Sequence, residues 1–146
     1  MSAREYPDRP IAAVGGIVWK GDDVLLIRRG KPPREGEWSL PGGGQELGET
    51  LEAALKREVF EETGIEIRVI GLLTVVDAIF PDGAGRIRHH YTLIDYTAEW
   101  VAGAPRPGSE EKAAEWVSPD RLKDIALWEK TRTVIEESRA HKDRAR

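Results

Sequence analysis

Several glutamates stand in one segment at positions where a helix would normally carry apolar residues. The segment from Glu49 to Thr63 has no Pro or Gly and is rich in Ala, Leu, Lys and Glu, which predicts a helix. At about 100° per residue, Glu58 and Glu62 share the azimuth of the leucines of this helix, and Glu61 lies on the flank of the same stripe. We therefore expect three carboxylates on the inward side of one helix.

Carboxylates on an inward face need a positive partner, because burying an ionised Glu alone costs several kcal/mol. From Glu49 to Glu62 there are five Glu but only Lys56 and Arg57, so the helix cannot neutralise itself. Hard oxygen ligands at i, i+3 and i+4 suit Mg²⁺ or Mn²⁺, which bridge to substrate phosphates. The segment indicates a metal and phosphate site, and the alternative is a solvated acidic helix face.

A glycine turn precedes this helix and completes a longer pattern. The glycines after Pro41 allow the backbone to approach an ion or a phosphate without interference from Cβ atoms. The spacing is Gly43, five residues, Glu49, seven residues, Arg57-Glu58-Val59, one residue, Glu61-Glu62, one residue, Gly64-Ile65. From Gly43 to Ile65 this resembles a complete Nudix box, with all nine specified positions present, which is far more specific than a lone glycine motif.

The resemblance to the Nudix family implies an activity and roles for particular residues. Nudix enzymes hydrolyse a nucleoside diphosphate linked to another moiety and use divalent metals, here Mg²⁺ or Mn²⁺. The implied metal ligands are Glu58, Glu61, Glu62 and the carbonyl of Gly43. The resemblance also implies that Arg57 and Glu49 form an ion pair that orients these ligands. In isolation, Arg57 would be interpreted as part of a surface salt bridge.

Hydrolysis of a pyrophosphate bridge by water attack on phosphorus also needs a general base. Glu58 can serve if metal ligation leaves it within reach of the water. Family members differ in this respect, and some place the base on a later loop. Glu110 and Glu111, just before the strand-like segment 114–117, are in a comparable position, and the alternative for both is a solvated turn.

Basic and aromatic residues near the box are candidates for substrate contacts. The basic candidates for a distal phosphate are Arg28, Arg29, Lys31 and Arg34, because Arg suits bidentate phosphate binding. The candidates for stacking on a base are Trp38, Phe80 and Tyr91. The alternatives are the solvated end of a strand for the basic group and the core for the aromatic group.

The choice of substrate depends on weaker markers. Pro81 stands sixteen residues beyond Ile65, which resembles the downstream proline of ADP-ribose pyrophosphatases, although MutT-like hydrolases can carry a Phe-Pro-Asp turn there as well. The leading hypothesis is a metal-dependent pyrophosphohydrolase of ADP-ribose or a similar nucleotide sugar. The alternatives are a MutT-like (d)NTP pyrophosphohydrolase that releases NMP and pyrophosphate, and a noncatalytic nucleotide-binding sensor.

Composition limits the other possibilities. A chain of 146 residues is expected to form one domain, with residues 1–8 and 141–146 flexible. It has no cysteine, so disulfides and thiolate chemistry are excluded. A net charge of -4 does not favour binding to nucleic acid polymers, and no run is long enough to span a membrane. We expect a cytoplasmic protein with a nucleotide-derived small-molecule substrate; family members are often homodimers, but no interface is indicated here.

The periodicity of the chain predicts an α/β fold. Strands are predicted at 11–20, 23–29, 65–76, 87–100 and 114–117, with a turn at 80–83, a short helix at 118–122 and a terminal helix at 128–139. Strands around one central helix, with another helix at the end, indicate a sandwich on a mixed sheet. The resemblance implies the Nudix α/β/α sandwich, with the box helix and a C-terminal helix.

Overall fold

A computed structural model describes residues 4–145, which form one mixed sheet with helices on both faces. The strands are β1 (Ile11–Lys20), β2 (Asp23–Arg29), β3 (Trp38–Ser39), β4 (Gly42–Gly44), β5 (Glu66–Pro81), β6 (Ile87–Ala102) and β7 (Glu111–Val117). The helices are α1 (Leu51–Thr63), α2 (Pro119–Leu122) and α3 (Glu129–Arg144). No helix among the described residues is both long and apolar enough to cross a membrane.

The strand order creates a gap at one end of the sheet. Strands β3, β2, β1, β6 and β5 lie side by side, β4 pairs with β1, and β7 pairs with β2. Among the seven strands of the described residues, β1 and β6 pair in parallel and the other strand pairs are antiparallel, so the predicted mixed sheet is confirmed. The strands β1 and β2 pair only at their turn, through Trp19 with Val24 and Lys20 with Asp23. Beyond those residues β1 takes β4 as its partner, and the two strands separate.

Two apolar clusters hold the layers together, one on each face of the sheet. The cluster under α1 contains Val14, Val18, Leu25, Ala54, Leu55, Val59, Ile65, Ile67, Tyr96 and Ala98. The cluster under α3 contains Ile17, Trp19, Val24, Leu26, Val117, Leu122, Val134 and Ile135. This layering confirms the predicted α/β/α sandwich with α1 and α3 on opposite faces.

The box helix α1 has clear start and stop signals. The side chain of Thr50 accepts a hydrogen bond from Ala53 N at 3.1 Å, so the helix begins two residues later than the predicted start at Glu49. Gly64 ends it in the left-handed conformation with φ 73°, and its N–H donates to Phe60 O at 2.8 Å. These caps fix where the acidic C-terminal half of α1 lies.

The hairpin between β5 and β6 is longer than the sequence predicts. β5 was expected to end at Val76, but its pairing with β6 continues through Phe80 opposite His89 and Pro81 opposite Ile87. The turn is therefore confined to residues 82–86, where Asp82 N donates to Arg86 O. As a result Phe80 belongs to the end of a strand and not to a loop.

Within the described residues, both chain ends contact the rest of the fold. Residues 1–3 and 146 lie outside the described residues. Within the N-terminal segment, Tyr6 N donates to Arg88 O at 2.8 Å, and the Tyr6 hydroxyl donates to Asp82 at 2.9 Å. At the other end α3 continues to Arg144, because Lys142 is buried against the Trp19 ring and its ammonium lies 3.5 Å from Asp22.

Ser138 joins α3 to the sheet through a buried polar contact. Its hydroxyl accepts from Trp19 Nε1 at 3.0 Å and lies 2.7 Å from the hydroxyl of Thr97. Since Ser138→Ala leaves two buried polar groups without this partner, we expect the free energy of unfolding to fall by about 1–3 kcal/mol, measured by urea denaturation. Thr133→Ala on the exposed side of the same helix should cost under about 0.5 kcal/mol, and equal losses would contradict the prediction.

Candidate active site

A cavity of about 500 Å³ opens where β1 and β2 separate. The C-terminal half of α1 and strand β4 form one side, and the beginning of α3 forms the opposite side. Residues of the loop after β2 and of the hairpin β5–β6 complete the walls. The cavity therefore brings the predicted box residues together with segments far away in the sequence.

Acidic side chains gather at the α1 end of this cavity. Glu62 Oε1 accepts a hydrogen bond from Gly42 N at 2.6 Å, and the side chain of Glu62 also shares a hydrogen bond with Glu111. Burial raises the pKa of both Glu62 and Glu111. The charges of Glu111 and Glu58 raise the pKa of Glu62 further, and those of Glu110 and Glu58 raise the pKa of Glu111, whereas the hydrogen bond with Glu62 lowers it. The raised pKa values favour a proton shared between Glu62 and Glu111.

Arg57 organises the same region from the exposed side of α1. Its Nε and Nη2 donate to the two oxygens of Glu49 at 2.7 and 2.9 Å, and Nη2 also donates to Gly44 O at 3.0 Å. Its Nη1 donates to Glu58 at 2.8 Å and to Glu61 at 3.4 Å. Hydrogen bonds from Arg57, and then from Glu46 N, lower the pKa of Glu49 to about 2. This network ties the helix to the glycine turn.

Gly43 lies against one of the carboxylates. A Cβ atom at this position would overlap the carboxyl group of Glu58. Strand β4 pairs with β1 here, with Gly43 opposite Val14, so the backbone cannot move aside. Only glycine lets the turn approach the acidic end of α1 so closely.

The acidic end of the cavity fits a hard divalent cation. Glu58, Glu61, Glu62 and Glu111 supply only oxygen donors, and Arg29 is the cation whose charge is felt at Glu62. Within residues 4–145, no three acidic, His or Cys side chains already stand in a ligand arrangement, because Glu58 and Glu61 face Arg57 while Glu62 faces Gly42. The donor chemistry and the excess negative charge suit Mg²⁺ or Mn²⁺ once these side chains turn toward it.

The whole arrangement matches a known family over most of the chain. A family model described as the NUDIX domain matches residues 9–137. The chain belongs to the Nudix family. It is therefore a hydrolase that acts on phosphorus-containing anhydrides of nucleotides.

Relatives and solved structures agree with this assignment. An ADP-ribose pyrophosphatase of Methanocaldococcus jannaschii is 37% identical over 118 residues, which cover 81% of this chain and 68% of the relative. A Mycobacterium tuberculosis protein provisionally named 8-oxo-dGTP diphosphatase 2 is 37% identical over 113 residues, covering 77% and 76%. A crystal structure of a MutT Nudix hydrolase from Burkholderia pseudomallei superposes with a TM-score of 0.76 at 33% identity, covering 89% of this chain and 98% of that one.

In this Nudix hydrolase the two late acidic candidates occupy different places. Glu111 begins β7, which starts earlier than the predicted strand at Ala114, and its side chain reaches the acidic cluster. Glu110 pairs with Lys31 at 2.7 Å, and both side chains are more than half exposed. Glu110 precedes the first residue of β7 and stays at the exposed side of the cavity with Lys31, whereas Glu111 is paired opposite Arg29 of β2.

Three of the predicted substrate contacts line the cavity of the Nudix hydrolase. Arg29 lies beside the acidic cluster, and its Nε donates to Pro33 O at 2.6 Å. Arg34 stands at the rim, with its guanidinium 5.7 Å from the ring of Trp128. The Phe80 ring lies 5.5 Å from the same Trp128 ring. Lys31 and Tyr91, which the sequence analysis also named as candidates, line the cavity as well.

Two predicted contacts lie elsewhere. Arg28 points to the surface, where its Nε donates to Gly36 O at 2.9 Å. Trp38 packs against the apolar cluster under α3 and lies below the guanidinium of Arg121 at 5.9 Å. Because adjacent strand residues alternate between faces, Arg29 reaches the cavity and Arg28 does not.

Two residues that line the cavity were not predicted as site residues from the sequence. Trp128 was predicted only as the start of the terminal helix, and Asp95 was not singled out. Asp95 is 4% exposed in the middle of β6. A charged residue between the apolar neighbours Ile94 and Tyr96 of a buried strand is the signal that could have found it.

Asp95 makes a pH-dependent contribution to stability. Burial raises its pKa from 3.8 to about 6, so its contribution is fully present below about pH 4 and is lost as the pH rises through 6. We expect Asp95→Asn to gain about 1–3 kcal/mol in unfolding free energy relative to the native chain between pH 4 and pH 7.5, followed by urea denaturation without added metal. Asp124→Asn, on an exposed turn, should show no such trend; a flat difference for Asp95→Asn would contradict the prediction.

Proposed function

We propose that this Nudix hydrolase cleaves ADP-ribose, or a similar nucleotide sugar, to AMP and ribose 5-phosphate with the help of Mg²⁺ or Mn²⁺. The observation that carries the proposal is a single cavity that joins an acidic, phosphate-facing end to a lobe with aromatic walls. Such a cavity suits a diphosphate attached to a nucleoside. The relative named ADP-ribose pyrophosphatase and the position of Pro81 support this substrate class.

The proposed metal ligands are Glu58, Glu61, Glu62 and the carbonyl of Gly43. When bound there, a divalent cation supplies charge neutralisation to the diphosphate and lowers the pKa of a water molecule. Arg57 donates hydrogen bonds to Glu58 and to the carbonyl of Gly44 and so holds both in place. Arg57 is itself oriented by a bidentate pair with the two carboxylate oxygens of Glu49. Arg57 therefore keeps Glu58 and the glycine turn close together before a cation binds.

The attacking water must lose a proton as its oxygen bonds to phosphorus and the bridging oxygen leaves. We propose Glu111 as the proton acceptor, because it lies in the cluster and its pKa is raised by burial and by nearby carboxylates. Glu58 is the second candidate, and it is engaged by Arg57 at 2.8 Å. Glu110 is directed to Lys31 and is not part of this step.

Positive charge beside the acidic cluster would hold the remaining substrate oxygens. Arg29 lines the cavity next to Glu62, and Arg34 stands at its rim. A guanidinium can contact two phosphate oxygens at once, so either side chain fits the second phosphate or the terminal phosphosugar. Phe80 and Trp128 form the wall of the lobe that would receive the nucleoside.

A (d)NTP pyrophosphohydrolase is the second candidate function. The specific observation in its favour is the equal 37% identity to the mycobacterial protein provisionally named 8-oxo-dGTP diphosphatase 2. The acidic cluster would serve this reaction in the same way. The two candidates differ in their products and not in their catalytic residues.

Product identification separates the two candidates. The purified chain is incubated with ADP-ribose, UDP-glucose, dGTP and 8-oxo-dGTP, each with Mg²⁺, Mn²⁺ or EDTA, and the products are resolved by anion-exchange chromatography. We expect AMP and ribose 5-phosphate from ADP-ribose, with turnover abolished by EDTA because the carboxylates alone do not neutralise the diphosphate. Release of NMP and pyrophosphate at a higher kcat/KM would favour the second candidate.

Substitution by Gln tests the acidic roles, because it keeps the side-chain shape and removes the charge. Glu58→Gln and Glu62→Gln are each expected to lower kcat by about 10²–10⁴-fold, and Glu111→Gln by a similar factor if it accepts the proton. Glu110→Gln is the matched control and should stay within about threefold, since its side chain is more than half exposed and is paired with Lys31. Native-like turnover of Glu111→Gln, with a large loss in Glu58→Gln, would assign the proton to Glu58.

A further inference from the structure

Asp95 is a buried carboxylate that the proposed mechanism does not use. It is 4% exposed, and among residues 4–145 no hydrogen bond or neighbouring charge acts on its carboxyl group. Burial alone raises its pKa to about 6. Since an unpartnered buried carboxylate costs free energy, the partner it lacks within the protein is expected to come from outside.

The side chain of Asp95 faces the cavity from the α3 face of the sheet. Thr97, two residues along β6, contacts Ser138 of α3, and alternation along a strand places Asp95 on the same face. A Cβ atom on Gly15, the β1 partner of Asp95, would overlap Asp95 Oδ1. Glycine at position 15 therefore leaves the space in which this carboxylate sits.

The register of the sheet sets the distance from Asp95 to the acidic cluster. Asp95 is opposite Gly15, Gly15 is opposite Gly42, and Gly42 N binds Glu62. Two interstrand spacings, roughly 10 Å, separate the backbones of Asp95 and Gly42. Asp95 thus lies two strands away from the glycine that binds Glu62, at a distance that a nucleoside attached to the phosphates would reach.

The surroundings of Asp95 favour a flat, weakly polar group. Val76, Ala78 and Leu93 line this lobe of the cavity, and the paired rings of Phe80 and Trp128 stand beside it. Apolar walls disfavour a sugar, because its hydroxyl groups would lose their hydrogen bonds to water. A nucleobase matches the walls and also carries hydrogen-bond donors on its edge.

We propose that Asp95 accepts a hydrogen bond from the exocyclic amino group of the substrate's nucleobase and thereby selects adenine over hypoxanthine. The inference rests on the proposed function in that it takes the ligand to be an adenine nucleotide. Hypoxanthine carries a carbonyl oxygen where adenine carries the amino group. That carbonyl oxygen would face the Asp95 carboxylate. Both groups are hydrogen-bond acceptors with no proton between them, so hypoxanthine would bind more weakly than adenine.

Nucleotide monophosphates test this without requiring catalysis. AMP, IMP and purine riboside 5′-monophosphate have no pyrophosphate bond to cleave, and their dissociation constants are measured by isothermal titration calorimetry with Mg²⁺. We expect the native chain to bind AMP about 10–100-fold more tightly than either analogue, the range for one hydrogen bond to a charged group. In Asp95→Asn the preference for AMP over IMP should fall to within about threefold, because an amide can donate to the carbonyl oxygen.

Controls separate base recognition from a general effect on the fold. Asp124→Asn should keep the native preference, and Asp95→Asn should unfold at or above the native temperature because it removes an unpartnered charge. Equal binding of the three nucleotides by the native chain would overturn the proposal without reference to any variant. An unchanged preference for AMP over IMP in Asp95→Asn would also overturn it. If Asp95→Asn changed only the preference for AMP over 2′-deoxy-AMP, Asp95 would contact the ribose and the proposal would likewise be wrong.

The same measurements distinguish this proposal from the proposed function. A preserved AMP preference that depends on Asp95, together with no cleavage of ADP-ribose, would reject the hydrolysis of that substrate and keep the base contact. Cleavage of ADP-ribose and of its hypoxanthine analogue at equal kcat/KM would support the proposed function and reject the base contact.

Discussion

The site depends on a concentration of negative charge that the protein itself leaves uncompensated. Glu58, Glu62 and Glu111 meet at one end of the cavity. The guanidinium of Arg57 is shared with Glu49, and that of Arg29 lies beside the cluster. Arg57 binds Glu58 on the outer side of the cluster, and burial raises the pKa of Glu62 and Glu111. A divalent cation would neutralise these carboxylates and at the same time bind the phosphate oxygens of the substrate.

The separation of β1 from β2 turns this cluster into a binding site. With β4 as the partner of β1, the glycine turn is drawn against α1, and the absence of a side chain on Gly43 lets Glu58 approach it. The same separation opens the α3 face, where Asp95 and Trp128 lie. The separation of β1 from β2 thus makes room both for the phosphates beside α1 and for the nucleoside on the α3 face in the proposed complex.

Local signals in the sequence were sufficient for the box and for most elements. The spacing from Gly43 to Ile65 predicted α1, its acidic stripe and the family, because those depend on helical periodicity and on contacts within 23 residues. The inward position of Glu111 depends on the pairing of β7 with β2, and the difference between Arg28 and Arg29 depends on strand register, neither of which a local pattern determines. Asp95 and Trp128 join the site only through pairing of β6 with β1 and packing of α3, so their contribution required the tertiary structure.

The parallel pairing of β1 with β6 has a further consequence for how the molecule is assembled. Ile11 is opposite Tyr91, 80 positions later in the chain, so the ribosome must deliver both hairpin strands before this ladder can close. Contacts between such distant segments carry a large loop-closure entropy and slow the folding of a domain. During synthesis α1 emerges before β5 and β6, so the apolar face of this helix stays exposed until the sheet that covers it has formed.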